Sequence, residues 1–144
     1  MNYKHIVLAA VASLVADLAF GYLYYGFLIA NEYNPYPGVY RSSEVVKNYM
    51  PFGFAGILIG LIILSVIYAK GYEGGSGLAE GARFGILIGI FVAVYFVGTN
   101  FTTLNIGPRL AAVQAAGALI EWTLVGIVIG LVYKPAHPST RAAS

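Results

Sequence analysis

Four stretches of this chain are apolar over the length a helix needs to cross a bilayer, about 20 residues. They run over residues 6–30, 51–69, 84–103 and 109–133. Hydrocarbon offers no water to peptide N–H and C=O groups, so each such stretch has to satisfy its own backbone as a helix. Of 144 residues, 59% are hydrophobic and 10% charged, against about 25% charged in a soluble domain. Little chain is left over for a soluble domain. The expected fold is all-α: an antiparallel up-down bundle of four transmembrane helices with short loops, a single integral membrane domain over residues 1–144 with a tail at 134–144.

Several function classes fall away. There are no cysteines, which removes disulfides and thiolate metal sites. The net charge of +2 and the lack of any basic run give no reason to expect nucleic acid. The histidines, His5 and His137, lie outside the expected helices, so neither a metal nor a haem is expected within the bilayer and no cofactor is implied. Ser13 and Ser65 have no nearby histidine, so the spacing implies no nucleophilic catalysis and no enzyme is expected. Lys4 before an apolar stretch resembles a signal peptide, but the stretch is too long, contains Asp17 and ends in Leu28-Ile-Ala30, a poor cleavage site. It reads as an uncleaved helix.

Lysine and arginine set the expected orientation. Lys4, Lys70, Arg83, Lys134 and Arg141 fall on one side, and Arg41, Lys47 and Arg109 on the other. This places both termini in the cytoplasm of a protein of the inner cell membrane. The expected partners are the lipid bilayer itself and either further copies of the chain or a membrane complex.

The connections differ in character. The first, Asn31–Met50, holds Pro35 and Pro37, which block a helix there, and Tyr33, Tyr36, Tyr40 and Tyr49. Tyrosines suit the headgroup zone, so an interfacial loop with an aromatic belt is the first reading and a lid over a binding site the second. Ser42 is placed to cap a short helix running to about Tyr49, with Glu44 in its first turn. The second connection, Lys70–Arg83, is short and carries Gly74-Gly75-Ser76-Gly77; the third, around Asn100–Pro108, is polar and tight.

Small residues let helices approach in lipid, where burying leucine gains little. The chain has three related pieces, Gly56–Gly60, Gly85–Gly89 and Gly126–Gly130, with Gly81 one turn before the second. In an up-down bundle the second and third fall towards the same membrane side, so the third and fourth helices are expected to pack through glycine. The first piece falls on the opposite side and needs another partner, either the alanine-rich face of the first helix or another subunit.

Two acids stand inside these helices. A carboxylate at bilayer depth costs roughly 2.5–3.5 kcal/mol or more, and no Lys or Arg lies near Asp17 or Glu121 within their stretches. At about 1.5 Å per residue, Asp17 lies about 16 Å into its helix and Glu121 about 18 Å into its own. Their depths match, so if the first and fourth helices touch, the two carboxyls approach each other. Two close carboxylates do not both ionise readily, and a resting state with at least one proton is expected. Ser13 and Tyr24 accompany Asp17 on its face, and Gln114 and Gly117 precede Glu121. Tyr95 and Thr99 share one face of the third helix, with Asn100 beside them. Trp122 points about 100° away from Glu121 and is expected to face lipid or to pack.

The segment Gly21-Tyr-Leu-Tyr-Tyr25-Gly-Phe-Leu28 resembles a Gly-x-x-aromatic-Tyr-x-x-Leu motif in a widespread bacterial family of small four-helix membrane proteins of unknown function. The Gly85/Gly89 helix, Asn100 and a glycine-ended last helix follow in similar order; that family has tryptophan where Tyr24 stands here. The resemblance implies a four-helix bundle and no activity. From the residues themselves, two functions are open: a proton-coupled transporter or solute-handling bundle using Asp17 and Glu121, or a non-enzymatic accessory or scaffold subunit held by its glycine faces.

Overall fold

The computed structural model describes residues 1–135; the expectations that fall on His137 and Arg141 lie outside them. Four helices, α1 (Tyr3–Leu28), α2 (Ser43–Gly71), α3 (Gly77–Thr103) and α4 (Pro108–Val132), are each long and apolar enough to cross a membrane. The chain is an all-helical, multi-pass membrane protein.

Two helix boundaries move from where the hydropathy put them. α2 starts at Ser43 rather than 51, because the short helix expected to end near Tyr49 runs on through Pro51. Proline removes one N–H and crowds the carbonyl four residues back, but residues 41–56 are exposed on every face, so that carbonyl has solvent or headgroups for a partner. Ser42 holds the N-cap position with Glu44 in the first turn, yet its side chain makes no capping bond. α3 starts at Gly77 rather than 84. Glu80 in its first turn accepts the N–H groups of Gly75 and Glu73, a favourable place for an acid beside the positive end of a helix. Gly74 turns the chain there with φ +90°, a conformation open to glycine at no steric cost. His5 lies inside the first turn of α1 rather than before it, and Asn2 caps that helix by accepting the His5 N–H (3.4 Å).

The helices neighbour one another in the order α3-α4-α1-α2, with α4 central. At one end, called here the closed end, Ile6, Ala9 and Ala10 of α1 bury themselves against Leu61 and Tyr68 of α2 and Val125 and Ile129 of α4. Tyr68 meets Phe84 and Tyr133 edge-on, with ring centroids 5.4 and 5.9 Å apart. The starts of α1 and α3 thus meet the ends of α2 and α4, which is the up-down arrangement.

α3 and α4 lie backbone to backbone. A methyl group on Gly81 would strike the Gly126 carbonyl, one on Gly85 the backbone of Trp122 and Thr123, and one on Gly89 the Leu119 backbone; Gly77 stands likewise against Gly130. Gly56 and Gly60 on α2 have nothing within 4 Å of such a methyl. Towards the other end, the loop end, α2 stands clear of its neighbours: it meets α1 along its later half and barely touches α4.

Candidate functional site

A cavity of about 440 Å³ lies in the loop-end half of the bundle, within the range of small-molecule sites. Glu121 and Gln114 of α4, Asn100 of α3, Tyr25 of α1 and Tyr40 of the first connection give it polar groups, and Trp122, Phe96 and Val92 give it apolar walls. Glu121 sits near the middle of its helix. Its Oε2 accepts a hydrogen bond from the Tyr25 hydroxyl (3.2 Å), and its Oε1 lies against Gly21, where the missing side chain leaves it room. None of the ion pairs among the described residues involves Glu121 or Asp17.

The local structure of α1 explains how two adjacent tyrosines reach α4. The helix widens into a π turn over Tyr24–Leu28, and such a turn inserts a residue and shifts the side-chain faces beyond it. Tyr24 donates to the Val113 carbonyl (2.9 Å) while Tyr25 donates to Glu121. Both rings fill the space left by Gly117, where a methyl group would collide with them.

The first connection then folds back over the start of α4. Gln114 donates through Nε2 to the hydroxyls of Tyr40 (3.2 Å) and Tyr33 (3.4 Å), whose rings meet edge-on at 4.9 Å. Burial pushes the Tyr33 hydroxyl above its ordinary pKa, so it stays neutral. Tyr36 accepts the Gly107 N–H (2.9 Å), and Arg109 grips Glu32 with two hydrogen bonds of 2.9 and 2.6 Å. Three of the four tyrosines of this connection are therefore hydrogen-bonded inward to α4 and the residue before it. The fourth, Tyr49, lies on α2 under the Arg41 guanidinium, 4.1 Å from its ring centre. A second cavity of about 440 Å³ lies along this loop, lined in part by Tyr33, Tyr36 and Arg41; it shares Tyr25 and Tyr40 with the first.

The structure sorts the polar residues singled out from the sequence. Glu121, Gln114 and Asn100 line the cavity. Tyr24 flanks it through Val113. Asp17 is 7% exposed and lies one helical turn from Gly21, hence one turn from Glu121 towards the closed end. α1 and α4 do touch, but Glu121 takes its hydrogen bond from Tyr25, not from Asp17. Ser13, a further turn along, is wholly buried and its hydroxyl has no partner; Ser65 and Tyr68 on α2 share that state. Tyr95 and Thr99 stand away from the site. Tyr95 is 63% exposed and stacked on Phe91, and the Thr99 hydroxyl returns to its own helix at the Tyr95 carbonyl (2.7 Å). Val92, Phe96 and Asn100, four residues apart, form the stripe of α3 that lines the cavity, and Tyr95 and Thr99 lie one residue off it, about 100° round the helix.

Tyr25, Tyr40 and Trp122 line the cavity and were not among the residues singled out. The run of tyrosines from Tyr22 to Tyr40 was the available signal, but hydropathy assigns it to the headgroup zone. Among the described residues no group of His, Asp or Glu is arranged to hold a metal. Comparison with family models, curated proteins and solved structures returns no match.

Proposed function

We propose that this protein binds a cation in exchange for a proton at Glu121 and so acts as a small proton-coupled carrier. The observation that carries the reading is a carboxyl at mid-span, facing a cavity, with no cationic side chain beside it among the described residues. A bare carboxylate there is costly, so either a proton or a cation has to accompany it. Trp122 and Phe96 line the same cavity, and aromatic rings attract a cation placed over their faces. The Tyr25 hydroxyl holds the carboxylate in position. When the cation enters, the Glu121 carboxyl gives up its proton and the carboxylate stays with the cation. Asp17, one turn nearer the closed end, is the second buried acid, and its protonation is linked to this exchange. The excess of Lys4, Lys70, Arg83 and Lys134 at the closed end supports a cell-membrane protein with the chain's start in the cytoplasm.

The test is proton release in weakly buffered detergent on adding tetramethylammonium or dodecyltrimethylammonium. Wild type is expected to release protons, Glu121→Gln none, and Asp17→Asn less than wild type. Identical traces for wild type and Glu121→Gln with both salts sink the reading.

One observation favours a second reading, an accessory or scaffold subunit. Residues 43–56 of α2 are exposed on every face, and Gly56 and the half-buried Gly60 one turn on have nothing opposite them. On that reading Gly56→Leu changes the size of the assembly, whereas Glu121→Gln leaves it and its activity unaltered.

A further inference from the structure

The Glu121 cavity has walls from α1, α3, α4 and the first connection, and α2 supplies none. On the side where a four-helix bundle would place that wall, residues 41–56 are exposed on every face. α2 and α3 meet instead at the closed end, where the Tyr68 and Phe84 rings touch. The gap therefore lies between the loop-end halves of α2 and α3. Its rim is apolar and belongs to a membrane-spanning segment: Phe96 lines the cavity and is itself exposed, and Val92 lines it one turn along. From the aqueous side the route is different. Tyr25 and Tyr40 line both the Glu121 cavity and the cavity along the loop, and Tyr40 is tied to Gln114.

We propose that the Glu121 cavity opens sideways into the leaflet at the loop end, and that its ligand is a membrane-borne amphiphile with a cationic head. The head sits at the Glu121 carboxylate against Trp122, and the tail leaves between α2 and α3 into the hydrocarbon. The carboxylate without a cationic partner selects the charge of the head, and the apolar gap selects the tail. This rests on the reading of Glu121 as a cation site. A long chain also concentrates such a ligand in the leaflet, since each buried CH₂ contributes about 0.8 kcal/mol to membrane partition.

Trp122 is the only tryptophan of the chain, so indole fluorescence reports on this one half-buried position in the cavity wall. The protein is placed in phosphatidylcholine vesicles with plain or brominated acyl chains, bromine being a contact quencher of indole. Trp122 emission is expected to drop in the brominated vesicles and to recover as dodecyltrimethylammonium displaces the lipid chain from the gap. Tetramethylammonium should need at least about a tenfold higher concentration for the same recovery. Glu121→Gln is expected to be quenched like wild type and to show no recovery. Emission that is the same in both vesicles overturns the sideways opening, whatever fills the gap, a second copy's α2 included. Proton release by tetramethylammonium in that case leaves the cation reading of Glu121 standing, so the two failures are told apart. Equal recovery in wild type and Glu121→Gln overturns the pairing of the head with the carboxylate.

Discussion

The two ends of this bundle are built from the same helices by opposite means. At the closed end small residues bring backbones together: Ala9 and Ala10 of α1 are wholly buried, and Gly81, Gly85, Gly126 and Gly130 let α3 and α4 meet backbone to backbone. At the loop end large polar aromatics hold elements apart, with Tyr24, Tyr25, Tyr33 and Tyr40 filling the space between α1, the first connection and α4. In lipid, close approach gains dispersion contacts, whereas each hydrogen bond between helices adds about 0.6–2 kcal/mol. The closed end therefore has little interior to lose, and the loop end can hold a cavity at modest cost. Stability and ligand binding are expected to separate along the helix axis.

The largest effect that sharpens this contrast is on binding. Replacing Glu121 by Gln removes the one carboxylate in the cavity, and cation affinity is expected to fall by about 2 kcal/mol or more, at least about thirtyfold. Titration of cation binding against pH gives an independent reading. Proton and cation compete for one carboxyl, so the apparent affinity should rise with pH in wild type and stay flat in Glu121→Gln. Affinity that falls with pH would break the exchange scheme.

The closed end should answer next. A leucine at Gly126 meets the Gly81 carbonyl and the Gly85 backbone, neither of which can turn aside, so Gly126→Leu is expected to cost about 3 kcal/mol. Gly56→Leu, with open space around it, should change the stability of the single chain by less than about 0.5 kcal/mol. Unfolding of the monomer in detergent mixtures measures both, and equal losses would erase the distinction between the ends.

Smaller effects belong to the loop cover. Gln114→Leu leaves the Tyr33 and Tyr40 hydroxyls without their donor and should cost about 1–2 kcal/mol, seen as faster proteolysis within residues 29–42. Arg109→Ala breaks a two-bond ion pair, but the arginine side chain is 80% exposed. Its loss should be below about 1 kcal/mol and shrink further in salt. If Arg109→Ala opens the loop more than Gln114→Leu does, the tyrosines are not what holds it.

The sequence alone determined the four helices and their up-down fold, because a segment in hydrocarbon has to close its own hydrogen bonds and its apolar length is read directly. It was less reliable where that pressure ends. Residues 43–49 read as a separate short helix and 77–83 as loop, yet both continue α2 and α3 beyond the apolar core of each helix. The cavity was legible only in part. Glu121, Gln114 and Asn100 stand out as polar groups in apolar surroundings, and all three line it. Tertiary structure decided the rest. A π turn at Tyr24–Leu28 shifts the side-chain faces of α1 where Tyr25 meets Glu121, and packing leaves Tyr95 and Thr99 on the outer face of α3. Tyr40 reaches the cavity through a hydrogen bond to a residue of the last helix, far along the chain. Apolar length is a local property, written in consecutive residues. The direction a side chain takes depends on helix register and on partners that only folding brings near.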